Sequence, residues 1–70
     1  MLMPERPKSK FRFVFHVYVD AKGEYRWRLW AKNGRIVADS GEGYKQKRNC
    51  VEMCTKLTDW LYKSEIVDRT

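Results

Sequence analysis

Ser40-Gly41-Glu42-Gly43-Tyr44 is where this chain changes its period. Apolar residues before it alternate two by two, and those after Gly43 recur about every 3.6 positions, so the stretch closes a sheet and opens a helix. The elements on either side follow from that change.

Upstream, Phe11 to Val19 places Phe11, Phe13, Phe15, Val17 and Val19 on one face and Arg12, Val14, His16 and Tyr18 on the other. Asp20-Ala21-Lys22-Gly23-Glu24 supplies turn chemistry. Tyr25 to Lys32 alternates again, sending Tyr25, Trp27, Leu29 and Ala31 one way and Arg26, Arg28, Trp30 and Lys32 the other. Asn33-Gly34 is the signature of a type I′ hairpin, and Arg35 to Ser40 completes the meander. These turns put Val17 opposite Trp27 and Leu29 opposite Ala38. The predicted core face is Phe13, Phe15, Val17, Tyr25, Trp27, Leu29, Ile36 and Ala38, and a one-residue slip would turn it outward.

Downstream, Cys50, Met53, Cys54, Leu57, Trp60 and Leu61 share one face of a helix predicted over Gln46 to Lys63. Arg48, Glu52, Thr55, Lys56, Asp59 and Lys63 line its solvated side. At about 1.5 Å per residue the helix reaches roughly 27 Å, enough to lie along one sheet face but not both. The fold class is α+β: a three-stranded antiparallel meander followed by one C-terminal helix. Residues 1–10 read as a flexible basic tail, 11–63 as the single domain and 64–70 as a C-terminal tail.

That leaves a second face. Its rows are Val14, Trp30 and Val37, then His16, Arg28 and Asp39, with Tyr18 and Arg26 beyond. An apolar patch of this kind usually marks an interaction surface. Burying roughly 300–400 Å² from each of two copies contributes on the order of 15–20 kcal/mol gross, against association costs of about 4–15 kcal/mol. A homodimer through Val14, His16, Tyr18, Arg28, Trp30 and Val37 is therefore expected. The competing expectation is that the N-terminal tail, or Ile66 and Val67, folds over the same face.

Gly23-Glu24-Tyr25-Arg26-Trp27-Arg28-Leu29, Asn33-Gly34 and Ser40-Gly41-Glu42-Gly43-Tyr44 occur in the order and at the separations that resemble the YegP-like family of short domains. The resemblance runs from about Phe11 to Leu61. It implies a strand-strand-strand-helix unit that occurs twice in one chain or pairs with a copy of itself, and it implies no catalytic residues. Relatives place Ser or Thr directly after the tyrosine, where a hydroxyl caps the helix; here Lys45-Gln46-Lys47 follows Tyr44.

Composition narrows function further. Fifteen Lys and Arg against nine Asp and Glu give a net charge of +6, which favours contact with polyanions. No apolar run approaches a membrane span, so a cytoplasmic location is expected. Cys50 and Cys54 stand four apart on the helix, too far for a disulfide, and with the lone His16 on a distant strand they do not make a structural zinc set. No metal and no cofactor is expected. Gly41-Glu42-Gly43 lacks both the third glycine of a dinucleotide fingerprint and a Gly-Lys-Ser/Thr ending. Ser40, His16 and Asp39 have the residue types of a hydrolase, but neighbouring strand positions point to opposite faces, so the three do not converge. The chain is expected not to be an enzyme. The alternative to a self-associating domain is a nucleic-acid accessory protein. It would use Arg26, Arg28, Lys32 and Arg35 around Trp30 and Tyr18 on the sheet, or Lys45, Lys47 and Arg48 at the helix start.

Overall fold

In the computed structural model, which describes residues 5–61 and 63–70, the elements are β1 (Phe13–Val19), β2 (Tyr25–Ala31), β3 (Ile36–Asp39), α1 (Lys47–Thr58) and β4 (Ser64–Asp68). The first two hairpins follow the alternation that predicted them. Val17 faces Trp27 across β1 and β2, and Leu29 faces Ala38 across β2 and β3, as the turns required.

Both hairpins close with the same loop, which at Asn33-Gly34 is not the expected type I′. Gly23 N–H donates to the Asp20 carbonyl and Gly34 N–H to that of Ala31, while Asp20 and Glu24, and Ala31 and Arg35, close the ladder. Asn33 keeps a negative φ and Gly34 alone takes the left-handed value of +85°. Each loop is thus three residues long. The extra residue pairs Trp30 with Ile36 instead of Val37, and a bulge in β3 at Val37 restores the expected pairing at Ala38. Ile36 is thereby turned to the face away from the helix and does not join the core.

Two further expectations change together. The helix stops at Thr58, five residues short, and Ser64–Asp68 form a fourth strand instead of a tail. β4 pairs parallel to β1 and the sheet order is β3-β2-β1-β4, a mixed four-stranded sheet where a meander was predicted. Parallel strands cannot be joined by a tight turn, so α1 is the crossover that carries the chain from one edge to the other. Lys63, with φ +57°, makes the bend into β4, and its carbonyl accepts from Phe13 N–H.

The core lies between α1 and the odd-numbered face of β1 and β2. Phe15, Val17, Trp27, Leu29, Cys50 and Cys54 are buried there, flanked by Phe13, Tyr25, Tyr44, Val51, Leu57, Leu61 and Ile66. Phe15 meets Trp27 edge to face at 5.5 Å between ring centroids. The strand-to-helix stretch is pinned at both ends. Ser40 exchanges hydrogen bonds with the Trp27 backbone, and Tyr44 bridges back to Tyr25. Gly43 passes so close to the residue before β2 that a Cβ on it would lie 2.7 Å from Glu24 Cβ. Trp60, expected in the core, follows the helix end and is 86% exposed.

Candidate functional site

The second sheet face does not present the patch that was expected. Val14 is fully buried and Trp30 only 3% exposed within a single protomer, although α1 lies on the opposite side. The N-terminal segment is docked at this end of the sheet. Pro7 is fully buried, and the Arg6 guanidinium donates to the carbonyls of Ala31, Phe11, Ser9 and Pro7, the shortest at 2.7 Å. The described part of the expected tail, Glu5 to Lys10, is thus tied down at the residue next to Trp30. Met1 to Pro4 lie outside the described residues. Of the other expected cover, Val67 joins this face as the strand neighbour of His16, while Ile66 turns to the helix side.

The remaining candidates separate. His16, Arg28 and Asp39 do share a row, but Arg28 lies over the Tyr18 ring, 4.1 Å from its centroid, and Asp39 accepts from Gly41 N–H. Arg28 thus makes a cation–π contact with Tyr18 in place of an ion pair with its row neighbour Asp39. The His16 ring is tilted against Tyr18, and among the described residues its Nδ1 has no hydrogen-bond partner. Burial, then the nearby charges of Arg69 and Arg28, holds its pKa below the ordinary value. Val37 is 54% exposed at the bulge.

As a nucleic-acid platform the sheet has lost its rings. Trp30 is enclosed, and one face of Tyr18 is taken by Arg28. Arg26 is bound to Asp20 at 2.6 Å, a contact that lowers the carboxyl's pKa. At the helix start Gln46 stands at the N-cap without a side-chain cap, as Lys45-Gln46-Lys47 implied, and the first turn holds no acidic residue. Lys47 reaches across to Asp68 at 2.5 Å and pushes that carboxyl down to about 2, while Arg48 donates to Gln46. Lys32, Arg35 and Lys45 stay exposed.

Ser40 Oγ accepts from Trp27 N–H on the sheet side away from His16. The two thiols are free and buried side by side on α1, where desolvation raises both and takes Cys54 to about 12. They pack as small apolar groups.

What sequence reasoning missed is the edge. β3 lies at one margin of the sheet beyond the reach of α1, which packs on β1, β2 and β4, and all four of its residues are exposed. Ile36 is 41% exposed beside Trp30. The brevity of Arg35 to Ser40, against seven residues in each neighbour, was the signal for it.

The profile of a family described as a domain of unknown function, DUF1508, matches residues 20–54. A UPF0339 protein of Agrobacterium fabrum is 36% identical over 58 residues, covering 83% of this chain and 92% of its own length. This chain belongs to the DUF1508 family. The YegP-like resemblance is thereby borne out. Two further DUF1508 relatives match more closely over a shorter stretch. A UPF0339 protein of Neisseria meningitidis serogroup B is 64% identical over 36 residues, 51% of this chain and 62% of its own. Another, from Methanosarcina acetivorans, is 50% identical over 38 residues, 54% of this chain and 64% of its own. The match thus spans under two thirds of these two relatives. A protein from Haloferax volcanii solved by NMR has the same fold, with a TM-score of 0.61 and 43% identity over 70% of this chain and 82% of that one. The stretch that the family profile matches takes in both turns, β2, β3 and the first part of α1.

Proposed function

We propose that this DUF1508 domain is a non-catalytic module that pairs with a second copy of itself through the exposed edge of β3, in a reducing cytoplasm. The observation that carries the reading is that edge. A strand with one side unpaired offers free N–H and C=O groups to another chain, and here it also carries Ile36 and Val37 in the open. Two-fold symmetry requires the strand to pair antiparallel with its own copy. A register centred on Val37 sets Arg35 of one copy opposite Asp39 of the other and Ile36 opposite Ala38, so that unlike charges flank an apolar centre. The two sheets then run on as one. The buried, protonated thiols and the engagement of Ser40 with backbone support the non-catalytic part of the reading.

Light scattering on a size-exclusion column tests it. The chain should run as a dimer at tens of micromolar, and Val37→Lys, which sets two like charges on the axis, should run as a folded monomer. A wild-type monomer at those concentrations would overturn the reading.

A further inference from the structure

The two ends of the sheet differ in how their cations are used. At the end where β2 and β4 meet the helix start, Arg26 is paired with Asp20 and Lys47 with Asp68. The other end gathers the docked N-terminal segment, the β2–β3 loop and the α1–β4 connection, because Arg6 binds Ala31, Phe13 pairs with both Ala31 and Ser64, and Lys63 accepts from Phe13. Lys8, Lys10, Arg12 and Lys32 are exposed there, and among the described residues none of them has an ion-pair partner. Glu5, Asp59 and Glu65 are the acidic residues at this end. Trp60 lies in the α1–β4 connection at the same end, its backbone N–H donating to the Leu57 carbonyl, with 86% of its surface open.

We propose that this end binds single-stranded nucleic acid, with Trp60 as the stacking surface and Lys8, Lys10, Arg12 and Lys32 as phosphate contacts. Neighbouring strands lie about 4.8 Å apart, so the end of β2 and the starts of β1 and β4 fall within roughly 10 Å of one another across the sheet. A free indole accepts any unpaired base, whereas bases in a duplex are already stacked. Anchoring to a lipid surface calls for a broad apolar face, and here Trp60 is a single exposed ring in a connection that also carries the exposed Asp59 and Lys63. Ile36 and Val37 are on β3, two strands away from β1.

Trp27 and Trp30 are buried, so the acrylamide-accessible fluorescence belongs to Trp60. Titration with oligothymidylate at low salt should quench that emission and shield it from acrylamide. Trp60→Ala should weaken binding by roughly tenfold, the loss of one stacked base. Arg12→Glu with Lys32→Glu should flatten the slope of log affinity against log salt by about 1.4, since each single-strand phosphate contact contributes about 0.7. The proposal is overturned if Trp60→Ala binds as the wild type does or if a duplex of equal length binds as tightly. A response to vesicles of phosphatidylserine without any response to the oligonucleotide would also overturn it. The β3 reading fails separately, because none of these substitutions touches β3 and all should leave the oligomeric state unchanged.

Discussion

The two edges of the sheet are built from similar residues and end in opposite conditions. β4 carries Ile66 and Val67, and β3 carries Ile36 and Val37. Ile66 is packed against the helical core, and Asp68 is tied to Lys47 at the helix start. Ile36 and Val37 stand open, because the three-residue loop and the bulge turn Ile36 away from α1 and the helix does not reach β3. An apolar pair is therefore no guide to burial by itself. What decides is which side of the crossover helix the strand falls on.

A matched pair of tryptophans gives the largest contrast. Trp30→Ala should cost about 3–5 kcal/mol in urea unfolding, the usual range for emptying a buried aromatic site. Trp60→Ala should stay within about 0.5 kcal/mol of wild type, as exposed sites do. Equal losses would mean that the burial of Trp30 counts for nothing.

The edge isoleucines come next. Ile66→Ala should cost about 1–2 kcal/mol, below the 2–5 kcal/mol of a fully buried isoleucine because it is half-buried. Ile36→Ala should leave the unfolding of the dilute protein within about 0.5 kcal/mol and instead raise the dissociation constant of the pair. If Ile36→Ala destabilised the monomer as much as Ile66→Ala, the two edges would not differ as described.

Two pH effects are smaller. His16 has its pKa lowered in the fold by burial and by Arg69 and Arg28, so the unfolded chain takes up the proton first. Stability should be unaffected by His16 above its ordinary value of 6.5 and should fall as pH drops below it. His16→Gln should remove that limb of a stability-against-pH curve. Asp68 has the opposite charge and also a lowered pKa, near 2, so its contribution is present above the ordinary carboxylate value of 3.8 and is lost as pH falls toward 2. Lys47→Met should flatten that acid limb only slightly, because the pair is solvent-exposed.

Most of the helix-side architecture was legible. Alternation in Phe11 to Val19 and Tyr25 to Lys32 reports which side chains share a face, and the glycine turns report where the chain reverses, so the pairing of Val17 with Trp27 followed directly. The periodicity of Cys50, Cys54 and Leu57 located the helix for the same reason. Three features were not legible, each for a local cause. Asn33-Gly34 serves a three-residue loop as well as a type I′ turn, and only the backbone dihedral of Asn33 separates them. Ser64-Glu65-Ile66-Val67-Asp68 is too short to display period two, so β4 read as a tail. Arg6 and Pro7 carry no apolar pattern, and their docking rests on four hydrogen bonds to carbonyls that sequence does not reveal. That docking removed the reason for dimerising through Trp30 and left the bare strand in its place.

Amide hydrogen exchange by NMR, followed from dilute to concentrated protein, addresses that strand most directly. The outward-facing amides of Ile36–Asp39 should exchange freely when dilute and become protected as concentration rises, while those of Ser64–Asp68 hold constant. Protection that rises along Ser64–Asp68 and never along Ile36–Asp39 would contradict the assignment of β3 as the pairing edge.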